Sequence, residues 1–300
     1  MLVIISDLHF TDGTTSNLSA DGTDLFNISP EAFRLFFGKI SSIIERRKES
    51  VREVKFVYNG DIFDPLRTCT WFEVPAGHRF WNVPPDRKAI QKTCGGIVAR
   101  ILHHNQEALA WLSGQHPDFE KTWQVDQEVE RVYIPGNHDR LMNLSPYCRR
   151  QVQLKLLNCK SSARFDNACL DRRHQTLIIH GHEADPFNCE FDPGGNPKYD
   201  DTPIGDVLTT ALFANIGHQA NGLDIPAAAK ERFRDIDNVR PNLAVIRYLQ
   251  DIITDFAISG KVEKMLQTIV EEFNQLAFYQ KWSKAHDQWN LGYDEADKLQ

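Results

Sequence analysis

Three observations in the amino-acid sequence predict an α/β (α+β) fold with a mostly helical C-terminal segment. Short β-branched runs alternate with helical periodicity over roughly the first 183 residues. Each of those runs ends abruptly in Asp, Asn or His. Beyond residue 184 the pattern turns almost wholly helical. An α/β core is therefore expected over 1–183, and a helical cap or continuation of the same domain over 184–300.

Taken in order, Leu2–Ile5 is a continuous apolar run ending in Ser6-Asp7-Leu8-His9, the pattern of a buried central strand. Thr11 to Asn27 is polar loop. Pro30 opens a helix whose apolar face runs through Phe33, Phe36, Phe37, Ile40, Ile43 and Ile44. Val54–Tyr58 is a second strand, ending in Asn59-Gly60-Asp61-Ile62-Phe63-Asp64, so a parallel βαβ unit is expected. Pro65 to Asp86 carries Trp71, Phe72, Phe80 and Trp81 and is longer than a plain connection requires. It reads equally as a wall of a substrate pocket or as a loop packed on its own aromatics.

Ile97, Ile101, Leu102, Ala108, Leu109 and Leu112 mark one long helix, and Val129–Ile134 a third strand ending in Pro135-Gly136-Asn137-His138-Asp139. A helix holding Arg149 and Arg150 follows. Arg164–Leu170 and Thr176–Ile179 read as a β-hairpin delivering His180-Gly181-His182. After the Pro/Gly/Asp-rich stretch 192–203, helices are expected around Leu208–Phe213, Leu243–Phe256 and Met265–Phe278.

Composition narrows the class. The 300 residues are 41% hydrophobic and 25% charged, enough for a sizeable core. A net charge of −7 argues against long nucleic acid as a partner. A phosphate-handling site in such a chain needs local positive charge, which bound metal supplies. Cysteines at 69, 94, 148, 159, 169 and 189 form no CxxC pair, pointing to reduced thiols and a cytoplasmic setting. No apolar run approaches the roughly 20 residues of a membrane span.

Asp, Asn and His are ligands for hard or borderline divalent metals. In open α/β sheets, sites lie beyond the carboxyl ends of the strands. Asp7, His9, Asp61, Asn137 and His180 thus converge on one crevice in this reading. Two cations about 3.5–4 Å apart can activate a water and stabilise the entering and leaving oxygens of phosphoryl transfer. So close a pair needs a shared anionic ligand, for which Asp61 is the candidate. Asp64 or Asp139 suits the task of fixing an imidazole tautomer.

The four segments Ser6-Asp7-Leu8-His9, Gly60-Asp61-Ile62-Phe63-Asp64, Gly136-Asn137-His138-Asp139 and His180-Gly181-His182 resemble, in order, the first four signature blocks of the calcineurin-like metallophosphoesterases. The resemblance implies a β-sandwich-like pair of sheets flanked by helices. It implies that Asp7 and His9 bind one metal, Asp61 bridges, and Asn137 and His180 bind the second. His138 would contact the phosphate or protonate the leaving oxygen, oriented by Asp139. The cofactor would be two divalent ions, Mn²⁺ foremost with Fe or Zn²⁺ as alternatives, and the partner a phosphomonoester, diester or pyrophosphate substrate. The family's final Gly-His-x-His block is missing. His182 and His218, the latter in Gly217-His218-Gln219-Ala220, are the nearest substitutes. The expectation is a C-terminally incomplete piece of a longer phosphoesterase; the alternative is a non-catalytic relative serving as a scaffold or binding protein.

Overall fold

The computed structural model of the chain describes residues 1–14, 27–239 and 244–286. Most of the Thr11–Asn27 loop, Leu243 and the terminal Asp297–Gln300 lie outside these residues.

Strands β1 (Leu2–Ile5), β2 (Glu53–Asn59) and β3 (Glu128–Ile134) form a parallel sheet in the order β1-β2-β3. Strands β4 (Ala168–Asp171) and β5 (Thr176–Ile179) form a separate antiparallel pair. The expected central position of the first strand is corrected: β2 is central and β1 is an edge. Val54, Phe56, Val57 and Tyr58 of β2 are fully buried, whereas Ile4 of β1 is 48% exposed. The two sheets meet through Val57, Ile134 and Ile178, with Leu2, Val132 and Cys169 packed around them. Among the described residues no further strand joins either sheet.

The other face of the parallel sheet carries the main core. The Pro30–Arg46 helix, opened by its proline, buries Phe33, Phe37 and Ile44 there. The expected long helix is two, Arg87–His104 and Gln106–Ser113, because Asn105 breaks it. The Asn105 amide donates both to the Thr11 carbonyl (2.8 Å) and to the Ile101 carbonyl (2.9 Å), competing with the regular ladder. The hairpin is shorter than expected. Arg164 to Asn167 lies outside it, and the Phe165 N–H is taken by the Asn143 side chain instead.

In the aromatic stretch, Trp71, Phe80 and Trp81 are buried against one another, and the Trp71 indole donates to the Pro65 carbonyl at 2.8 Å. It is a self-packed loop, although Phe80 also lines a cleft described below.

The C-terminal part is helical. A continuous run from Ile204 to Asn221, π-helical over Leu208–Ala214, sends Ile204, Val207 and Ala211 into the main core. A second cluster gathers Ile216, Phe233, Ile252, Val262 and Ile269. The expected third helix divides at Leu276 into Lys261–Gln275 and Ala277–Ala285. No helix among the described residues is long and apolar enough to cross a membrane.

Candidate metal centre

The parallel ladder brings the polar strand ends together. Beyond β1, Asp7 N–H donates to the Gly60 carbonyl and His9 N–H to the Asp61 carbonyl, while Gly60 N–H donates to Ile134 at the end of β3. The chain turns sharply here: Asp7, His9 and Asp61 all have left-handed backbone, at φ 56°, 48° and 52°. Left-handed backbone costs a non-glycine residue about 1–2 kcal/mol, so the surrounding ladder must hold it.

These turns aim Asp7, His9 and Asp61 at one another. His9 Nε2 lies 3.9 Å from Asp7 Oδ1 and 3.8 Å from Asp61 Oδ2. The other His9 nitrogen, Nδ1, faces Asp64 Oδ2 at 3.1 Å. On the opposite side His180 Nε2 lies 3.4 Å from Asp61 Oδ2 and 3.3 Å from Asn137 Oδ1, while its Nδ1 faces the Asn59 carbonyl at 3.0 Å. Each imidazole thus has an acceptor at Nδ1 that can fix its orientation, and each turns Nε2 toward the same Asp61 oxygen, where a metal ion would take that nitrogen in place of a proton. The remaining Asp61 oxygen accepts from His138 N–H at 3.0 Å.

Two glycines make room for this arrangement. A methyl at Gly60 would strike the His180 ring, and one at Gly136 would strike Asp61.

The structure corrects the partner expected for His138. Asp64, not Asp139, orients it: Asp64 Oδ2 lies 3.1 Å from His138 Nδ1, and the rings of His138 and His9 meet edge to face at 4.7 Å. Asp139 is spent on the backbone, accepting from Gly136, Ile62 and Phe63 N–H. Asp64, His9 and His138 could on distance alone hold an ion. Both imidazole contacts to Asp64 have hydrogen-bond lengths, however, so Asp64 is a shared acceptor.

Positive charge is in demand at the strand ends. Burial works to raise the Asp61 carboxyl, but His138, His180 and His9 outweigh it and hold it below its ordinary value. Asp64 behaves likewise: burial opposes its charge, while His138 and Arg67 hold it well below the carboxylate range. In return, burial would lower His138 and His180, yet the facing carboxylates push them up to about 10 and about 9. A divalent cation supplies the same compensation, and the donor set of carboxylate, imidazole and amide oxygens fits one.

His182 is buried 5.4 Å, ring to ring, from His180. Its Nδ1 accepts and donates no hydrogen bond among the described residues. His218 is not part of the cluster. It stacks on Phe72 at 5.0 Å, where burial lowers its pKa. Asp12, just past the first motif, is structural: it accepts from Thr68 at 2.6 Å and Arg100 at 3.2 Å.

Sequence reasoning passed over several residues of the site. Arg67 stands 3.2 Å from Asp64. Arg140 is anchored by Asp206 at 2.6 Å and Thr202 at 3.0 Å. Adjacency to Asn137-His138-Asp139 could have flagged Arg140; nothing local marks Asp206, whose importance is wholly tertiary. No protein-family model matches this chain, and no curated protein or solved structure matches it either.

Proposed function

We propose that the chain is a calcineurin-like metallophosphoesterase that hydrolyses phosphate esters. The observation that carries this reading is Asp61 Oδ2 placed between Nε2 of His9 (3.8 Å) and Nε2 of His180 (3.4 Å), each ring fixed by its own Nδ1 acceptor. Asp7, His9 and Asp61 would hold one divalent ion; Asp61, Asn137 and His180 would hold a second. Mn²⁺ is the first candidate, with Fe or Zn²⁺ next. Bound, such a pair supplies Lewis acidity and a water acidified toward neutral pH.

The chain's own groups do the rest. Asp64 takes Nδ1 of His138, so Nε2 is the nitrogen left to face substrate and give a proton to the leaving oxygen. The carboxylates of Asp64 and Asp61 keep that imidazole protonated at neutral pH. Arg67 and His9 Nδ1 meet the same Asp64 oxygen, and the other oxygen accepts from Leu66 and Arg67 N–H, which together keep the carboxylate from rotating out of line. The short shells, three protein donors for each ion among the described residues, favour the second reading of a non-catalytic binding protein.

The deciding experiment is hydrolysis of p-nitrophenyl phosphate and bis-p-nitrophenyl phosphate with added Mn²⁺, against Asp61→Asn. Activity that disappears in the variant supports the esterase reading, and the preferred ester separates mono- from diesterase. A folded chain inert toward both, with Mn²⁺ bound, leaves the binding protein.

A further inference from the structure

A cleft of about 540 Å³, in the size range of sites for small organic ligands, is lined by none of the proposed metal ligands but adjoins their neighbours. Arg140, next in sequence to Asp139, lines it, as does Tyr199, whose ring stands 5.9 Å from that of His182. The path from Asp61 through His180 and His182 to Tyr199 thus runs from the metal ligands to the cleft.

One wall is a face of the Ala277–Ala285 helix: Phe278, Lys281, Trp282 and Ala285 recur at helical spacing and all line the cleft. The start of the Arg87–His104 helix also lines it, through Arg87, Ile90 and Gln91.

The charge of the lining is unlike that of the chain. Two of its acids are already matched, Asp200 by Arg164 and Asp201 by Lys198. The third, Glu190, is pushed toward its neutral form by burial. Among the described residues, Arg87 and Lys281 have no carboxylate partner, and Arg149 donates only to the carbonyls of Ser162 and Asn143. Three cations that have no carboxylate partner among the described residues, set beside aromatic walls in a chain of net charge −7, suit an anionic aromatic group.

We propose that this cleft binds the leaving-group side of the substrate, and that this side is an aromatic moiety carrying a second negative charge, the chemistry of a nucleoside bisphosphate. The inference rests on the esterase reading for its catalytic meaning. Phe80 and Trp282 supply the apolar surface, Arg87, Arg149 and Lys281 receive the second phosphate, and the scissile phosphate reaches the centre past Arg140. A chain bearing only a lipid tail would leave these cations unmatched.

The test compares adenosine 3′,5′-bisphosphate with p-nitrophenyl phosphate, which has the ring but not the second charge. Its variant is Arg87→Glu/Lys281→Glu, with folding checked by thermal melting. The expected preference of the unmodified chain for the bisphosphate, as kcat/KM, falls by about tenfold or more in the variant, with KM carrying the change. Calorimetric binding of the bisphosphate to Asp61→Asn, with and without the two charge reversals, gives the same comparison without turnover. Equal affinity in both backgrounds, or no binding at millimolar ligand, overturns the cleft assignment while leaving any p-nitrophenyl phosphate activity standing. A chain that hydrolyses neither ester but loses bisphosphate affinity on charge reversal overturns the esterase reading and keeps the cleft.

Discussion

The Asp64 carboxylate, fully buried, accepts from Nδ1 of His138 at 3.1 Å and so leaves Nε2 as the nitrogen of that ring it does not engage. The same oxygen takes Nδ1 of His9, so one carboxylate aligns a metal-facing imidazole and a proton-donating one. Asp64→Asn should therefore lower both Mn²⁺ affinity and ester hydrolysis by about 10–100-fold, the usual cost of losing an acceptor behind a ligating histidine. Asp139→Asn should act differently. Its carboxylate serves backbone N–H groups, so the loss should appear in thermal stability before it appears in metal affinity. Calorimetric Mn²⁺ titration and melting of the two variants distinguish the roles.

Gly136→Ala tests the space at the centre. The glycine backbone is ordinary there, so an added methyl acts only by striking Asp61 and His180. The expected outcome is a folded chain, by circular dichroism, that no longer binds Mn²⁺. Retained binding would mean that Asp61 can move without consequence.

The His138–Asp64 pair gives the metal-free chain a defined pH dependence. Burial disfavours the charged ring, but Asp64 and Asp61 outweigh it and set its folded pKa at about 10. An unfolded histidine titrates near 6.5. The folded state thus binds the extra proton between these values, and the stabilisation is complete below about 6.5 and lost as pH rises through about 10. With chelator present, the melting temperature should decline over that window, and decline less in His138→Gln. Parallel declines would remove this pair as the cause.

Arg140 and Asp206 form a buried ion pair at 2.6 Å that ties the third motif to the helical segment. Asp206→Ala leaves the guanidinium buried without its partner and should cost about 3–5 kcal/mol in urea unfolding. Replacing both by Met and Leu should recover much of that loss, since a buried pair contributes little net stability over a well-packed apolar one.

Much of this arrangement was legible in the sequence because strand ends write their chemistry locally. Asp7, His9, Asp61 and Asn137 follow apolar runs that parallel pairing brings to one edge, and His180 joins them from the antiparallel pair through the packing of the two sheets. The choice between Asp64 and Asp139 was not legible, since both follow a motif at similar spacing and only side-chain direction separates them. The helix break at Asn105 depends on a bond to Thr11, 94 residues away, and no propensity foretells it. The edge position of β1 escaped because a short apolar run looks the same at an edge as at a centre; Ile4 is exposed all the same. Arg140 and Asp206 are separated by 66 residues, and their pairing is a product of packing alone.

The left-handed turns at Asp7 and His9 set stability against metal affinity. Glycine accepts those backbone angles without the steric cost that aspartate and histidine bear. A library of this chain selected only for heat resistance in chelator would accordingly drift toward glycine at positions 7 and 9 and lose its ligands. One selected for retained metal would keep the strained residues and remain the less thermostable of the two.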